Sequence, residues 1–164
     1  MARLFGRVAL ALAAIVALLV LAAVSIGVVA HFSSGPIGPF PGGPFRGTVE
    51  SAPVTDWSFA ADLGEVELEV NSPDPRTLTT WVLVEGGEIF IPCGLPERKA
   101  WPKQVAADPR TRLRADGRIW ERTAVRETRP ERVAALAALL ASKYETGPPG
   151  DDVWYFRLDP RPGS

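Results

Sequence analysis

Residues Thr79 to Arg114 read TTWVLVEGGEIFIPCGLPERKAWPKQVAADPRTRLR, and this stretch decides the fold. A β-branched run from Thr79 to Val84, a Gly86-Gly87 pair and a second apolar run from Ile89 to Cys93 predict a β-hairpin. Paired glycines supply the positive φ that tight primed turns require. Trp81 and Leu83 alternate with Val82 and Val84, so the first strand is apolar on both faces and is expected inside the sheet. The loop Gly94 to Ala100 then leads to a short helix over Trp101 to Ala107, closed by Asp108-Pro109, and a further strand begins near Arg110.

Downstream, Arg110 to Arg114 alternates, Ala115-Asp116-Gly117 turns, and Arg118 to Glu127 returns as another strand. Thr128-Arg129-Pro130-Glu131 has the spacing of a capping box, with proline in the first helical turn where its missing N–H costs nothing. The helix that follows places Val133, Leu136, Ala137, Leu140 and Tyr144 on one stripe and stops at Gly147-Pro148-Pro149-Gly150. A last strand, Val153 to Leu158, turns Trp154 and Phe156 to one face and Tyr155 to the other.

Upstream, Thr48 to Asp62 is expected to open the domain with a short strand and a loop carrying Trp57 and Phe59. Glu65 to Val70 alternates, which turns Val66, Leu68 and Val70 to a core and three carboxylates to a solvated face. One strand offers no convergent oxygen shell, so Ca²⁺ binding is not expected there. Asn71 to Pro75 is a turn cluster. Six or seven strands with two helices make a mainly β, α+β domain, a small antiparallel barrel whose helices cover its ends.

Before that domain, residues 8–30 are apolar, interrupted by Ser25 and Gly27. At 1.5 Å per residue they reach about 34 Å, enough for one transmembrane helix. A retained anchor is preferred to a cleaved signal peptide, since the run is long for an h-region and no polar stretch precedes the small residues Val28-Val29-Ala30. Arg3 and Arg7 precede the span and no Lys or Arg follows it until Arg46, which predicts a cytoplasmic N-terminus and an extracytoplasmic domain in a single-pass cell-membrane protein. Residues 31–47, dense in Pro and Gly, read as a semi-extended linker that holds the domain off the bilayer, with Phe40 and Phe45 either dipping into the interface or packing on the domain edge. The expected division is therefore 1–7 cytoplasmic, 8–30 membrane, 31–47 linker and 48–164 domain.

The chain has 164 residues, 18 Lys and Arg against 19 Asp and Glu. Arg3, Arg7 and Arg46 lie ahead of the domain, which leaves it 15 basic residues and all 19 acidic ones, a net charge near −4. That balance argues against a nucleic-acid partner. A single cysteine, Cys93, and a single histidine, His31, cannot build an internal disulfide or a usual zinc site, and His31 sits too far from the domain to serve a nucleophile. Cys93 reads as a small buried hydrophobe.

Trp101 to Pro109, followed by strand, glycine turn and strand with Gly117-Arg118-Ile119-Trp120-Glu121, resembles the split β-barrel superfamily of pyridoxamine-phosphate-oxidase-like and deazaflavin (F420)-dependent nitroreductase-like proteins. Many of these carry a helix ending in Asn/Asp-Pro after the hairpin and Gly-Arg at the next strand. The likeness covers roughly Glu65 to Leu158. It implies a split barrel with FMN or F420 along its wall and a phosphate held by basic residues near the loop into the helix. Carried onto this chain, the cofactor-binding candidates are Thr79 and Thr80 at the strand start, Arg98 and Lys99 in the loop, and Lys103 on the helix. Cationic side chains beside helix N-terminal amides suit a phosphate. Trp101 stands where many flavin-binding members have a lysine, which is closer to the deazaflavin type. The resemblance also implies a homodimer, since such barrels commonly pair to complete their sites.

Two functions follow. One is a membrane-anchored flavin- or F420-dependent oxidoreductase, with hydride chemistry supplied by the cofactor. The other is a cofactor-free binding or scaffold domain that presents Arg110, Arg112, Arg114, Arg118, Arg122 and Arg126 as a basic face to an anionic ligand or partner. A haem-binding variant is disfavoured because the domain has no histidine.

Overall fold

A computed structural model describes residues 2–70, 73–146 and 152–161. Asn71, Ser72 and the stop at Gly147 to Gly150 lie outside the described residues. The order is α1 (Ala2–Phe32), β1 (Glu65–Val70), β2 (Arg76–Trp81), β3 (Leu83–Glu85), β4 (Glu88–Gly94), α2 (Trp101–Ala107), β5 (Arg110–Ala115), β6 (Arg118–Glu127), α3 (Pro130–Lys143) and β7 (Val153–Pro160). The helices and strands expected after Glu65 are present. The short strand expected near Thr48 is not formed; Val49 makes a single bridge to Ile119, and Ser58–Ala60 is a 3₁₀ turn.

The seven strands form one antiparallel sheet in the order β2-β1-β5-β6-β7-β4-β3. The run Thr79 to Val84, expected as one central strand, instead breaks at Val82. Its first part ends β2 and pairs with β1, while its second part is β3 and pairs with β4. The two edge strands are thus consecutive in the chain, and the sheet must curl until they meet at Val82. This is an α+β split barrel.

Leaving one ladder for another strands the backbone of Val82, which is fully buried. Buried amides and carbonyls need partners, and the end of α3 provides them. Tyr144 Oη accepts from the Val82 amide at 2.9 Å and donates to the Gly64 carbonyl at 2.7 Å, while Lys143 Nζ donates to the Val82 carbonyl at 2.8 Å. Burial lowers the pKa of Lys143 and raises that of Tyr144. The predicted stripe of α3 packs as expected, with Leu136 and Leu140 against Leu83, Phe90 and Tyr155. The capping box does not form; the Glu127 carboxylate takes its place, accepting from the Thr128 and Arg129 amides at 3.0 Å.

Inside the barrel, Val66, Leu68 and Val70 meet Ile89, Ile91, Leu113, Trp120 and Phe156. Cys93 is fully buried among them, and burial pushes its thiol up to about 11, so it packs and does not react. Trp101 is buried against Phe156, with ring centroids 4.9 Å apart.

The segment after α1 corrects the expectation of an extended spacer. It folds tightly onto the barrel: Gly42 and Thr77 exchange backbone hydrogen bonds of 3.0 and 3.1 Å, Thr77 Oγ1 donates to the Gly43 carbonyl at 3.0 Å, and Phe45 is buried. Gly42 runs so close to the Gly35 carbonyl that a side chain could not fit between them.

Candidate functional site

The site follows from how the barrel fails to close. From Val82, β2 and β4 diverge, and no bridge joins them among the described residues. Past Phe90, β4 has no partner on that side, which is why Pro92, lacking an N–H, is tolerated in it. The seam between the two strands is a cleft of about 440 Å³. Thr79, Thr80 and Trp81 of β2 line it, opposite Pro92 and Gly94 of β4 and together with Leu95, Lys99, Leu140, Val153 and Glu65.

Three of the five candidate residues, Thr79, Thr80 and Lys99, meet in this cleft. Among the described residues their side chains have no hydrogen-bonded or ion-paired partner. Arg98 is exposed beside Lys99 in the 3₁₀ turn Pro96–Arg98, without a wall position. Lys103 is exposed on α2, whose Trp101, Pro102 and Val105 face the core; it is not brought to the cleft. The helix-amide part of the expectation also fails. Pro102 has no N–H, and the amide of Lys103 bonds the Ala100 carbonyl at 3.1 Å.

Sequence reasoning missed Trp81 as a wall of the site. It is 40% exposed and its ring stacks on Tyr144, with centroids 4.3 Å apart and planes 9° from parallel. An aromatic residue one position before a strand switch was the available signal. It also missed Leu95, which is half exposed and held in the left-handed region at φ 52°, where the loop turns from β4 toward Lys99.

The proposed basic face does not exist as one surface. Cross-strand register puts Arg112 and Arg114 with Glu69 and Glu67, on one side of the sheet. Arg112 Nε and Nη2 grip the two oxygens of Glu69 at 2.6 Å, and Glu69 also accepts from the Phe45 amide at 2.6 Å. Arg114 pairs with Glu67 and donates to the Ser34 carbonyl at 3.0 Å. Glu67 and Glu69 therefore form no solvated face. Arg110 chelates Asp108, and this bond holds the Asp108 carboxyl at about 2. Arg122 is on the other side of the sheet, buried over the Trp57 ring, where desolvation lowers its pKa. Arg126 lies 3.5 Å over the Trp154 ring, and Arg118 reaches over Phe59.

No protein-family model matches the chain, and no curated protein matches its sequence. Solved structures do. A protein from Listeria innocua assigned as a pyridoxamine 5'-phosphate oxidase is similar at 13% identity and a TM-score of 0.50, over 60% of this chain and 84% of its own. A structure described as a domain-swapped dimer is similar at 17% identity and a TM-score of 0.50, over 69% and 88%. An F420 reductase aligns at 20% identity and a TM-score of 0.48, over 67% and 96%. The first two show the fold: the chain is built as a split barrel.

Proposed function

We propose that this protein is a membrane-anchored split-barrel oxidoreductase that binds FMN or F420 in the cleft between β2 and β4. One observation carries the reading. The open seam of the barrel holds Lys99 and two threonine hydroxyls without hydrogen-bond or ion-pair partners among the described residues, in a molecule whose strand arginines are largely matched to carboxylates or stacked on rings. Lys99, with Arg98 beside it, is the anion clamp for the cofactor's phosphate, and Thr79 and Thr80 add hydroxyl donors. Glu65 adds one carboxylate to the lining, so the phosphate is expected toward Lys99. Trp81, Pro92, Leu95, Leu140 and Val153 give the apolar walls that keep water from a planar ring. When bound, such a ring supplies hydride chemistry; the chain binds it, orients it and shields it.

The helix α1 includes one stretch, Arg7–Phe32, long and apolar enough to cross a membrane, with a mean hydropathy of 2.9. As part of the proposal, residues 8–30 are a retained span, 1–7 are cytoplasmic and the domain from 48 onward is extracytoplasmic, with 31–47 docked on it. A homodimer completes the picture, supported by the similarity to a domain-swapped dimer.

The test uses the full chain purified in detergent and titrated with FMN and with F420, following fluorescence. Saturable binding of either, weakened by Lys99→Ala, is expected. A folded protein that ignores both cofactors would overturn the reading. A reporter active only outside the membrane, fused after Ser164, checks the orientation.

A further inference from the structure

The tight fold of residues 33–46 sets a depth as well as a contact. The chain leaves α1 at Phe32, turns at Ser33, and runs back along the helix before crossing it again. Ser33 Oγ and the amides of Ser33 and Gly43 all donate to the Ala30 carbonyl, at 2.7, 3.0 and 3.1 Å. Between these ties, Ile37 and Phe40 exchange two backbone hydrogen bonds of 3.1 Å, making a small closed turn. Phe40 reaches back to Gly27: a β-carbon built there would lie 3.7 Å from its ring.

Gly27 is 20 residues beyond Arg7, so at 1.5 Å per residue it lies about 30 Å along the helix from the last charged side chain before the span. That is the thickness of a hydrocarbon core, so Gly27 marks its outer edge once Arg7 sits at the inner one. The turn beside Gly27 is built of Ile37-Gly38-Pro39-Phe40, carries no charge, and leaves Ile37 38% exposed. An apolar, hydrogen-bond-closed turn at that level suits the boundary between acyl chains and headgroups.

We propose that the turn Ile37–Phe40 is a second membrane contact, inserted at the boundary of the outer leaflet next to α1. The inference rests on the reading of α1 as a retained span. A helix alone lets a domain swivel; a helix and an adjacent turn, in a segment whose Ser34, Gly43 and Phe45 carbonyls are held to the barrel by Arg114, Thr77 and Arg112, hold it in one orientation to the bilayer. The Pro and Gly content that resembles a flexible spacer instead serves close crossing. A β-carbon on Gly43 would sit 2.5 Å from the His31 carbonyl oxygen, and one on Gly42 would collide with Gly35.

The experiment uses the full chain in phosphatidylcholine vesicles, with an environment-sensitive fluorophore on single introduced cysteines and lipids brominated near the top of the acyl chain as quenchers. Cys93 is buried with its thiol held protonated, so it does not compete for label. Labels on Leu18→Cys, Ile37→Cys and Glu131→Cys report the helix, the turn and the exposed start of α3. Blue-shifted, bromine-quenched emission from Ile37→Cys, with aqueous emission from Glu131→Cys, is expected. Aqueous emission from Ile37→Cys while Leu18→Cys reports lipid overturns the inference and leaves the span intact. Aqueous emission from Leu18→Cys overturns both. Adding Gly43→Ala to Ile37→Cys should abolish the quenching; persistence would refute the role of the glycine crossing.

Discussion

The outer face of β1 and β5 and the loop before α2 use the same cationic chemistry to opposite ends. On the face, Arg112 and Arg114 each hold a glutamate and a carbonyl of the segment after α1, so these four charges are answered inside the protein. In the loop and the start of α2, Arg98, Lys99 and Lys103 fall within six residues without an ion-pair partner among the described residues. A cation that is paired internally contributes to folding; an unpaired cation beside an open cleft is available to a ligand. The difference is set by register: β1 presents Glu67 and Glu69 directly opposite Arg114 and Arg112, whereas among the described residues β4 has no partner beyond Phe90 on the side of β3.

The largest effect is expected where pairing is deepest. Arg112→Ala leaves the Glu69 carboxylate, whose side chain is 8% exposed, without its cation, and should destabilise the fold by about 3 kcal/mol. The double variant Glu69→Leu with Arg112→Met should recover most of that loss, because it removes the charge together with its partner. Denaturant unfolding of the full chain in detergent measures both, and a loss below about 1 kcal/mol for Arg112→Ala would show that the pairing is not structural.

Arg98→Ala with Lys99→Ala should do the reverse. Cofactor affinity is expected to fall about tenfold or more, equivalent to about 1.4 kcal/mol, while unfolding stability stays within about 0.5 kcal/mol of the parent. Raising salt should weaken that binding too, since the clamp is exposed. A loss of stability without a loss of affinity would move these cations into the structural class.

Acid separates the classes without mutation. The hydrogen bond from the Arg129 guanidinium, assisted by the backbone amides of Arg129 and Thr128, holds the Glu127 carboxyl at about 2 against an ordinary value of 4.5. A depressed carboxyl contributes stability that is present above its unfolded value and lost as pH falls through the folded one. Thermal stability should therefore decline between about pH 4.5 and 2. Arg129→Ala should flatten that part of the profile; an unchanged slope would place the acid sensitivity elsewhere. Half-exposure of Arg129 keeps the effect smaller than that of the β1–β5 pairs.

Much of the fold was legible because local signals and tertiary needs agreed. Trp101–Ala107 and Arg118–Glu127 occur with the boundaries their turn residues announced. The break at Val82 was not legible, since a β-branched run looks the same whether it stays in one ladder or passes between two. Lys143 and Tyr144, 61 and 62 residues away, stabilise the switch. The pairing of Glu67 and Glu69 was hidden for the same reason: alternation puts carboxylates on a face but does not say which strand lies opposite. At the candidate site, the family resemblance named Lys99 and the two threonines, which the cleft brings together, whereas Trp81 as a wall of that cleft required knowing where the barrel opens.

Lys103 gives the finest discrimination. It shares charge, exposure and neighbourhood with Lys99, and sequence spacing alone puts it in the same clamp. The structure separates them by helix geometry. Trp101, Pro102 and Val105 fix the buried side of α2, which carries Lys103 on the exposed side and away from the cleft wall. If proximity in sequence were enough, Lys103→Ala would weaken cofactor binding as Lys99→Ala does. If position on the seam decides, the Lys103→Ala change should stay within about twofold, or about 0.4 kcal/mol. Equal losses for the two lysines, measured in the same titration, would mean that the clamp includes α2 and would redraw the boundary between paired and available charge.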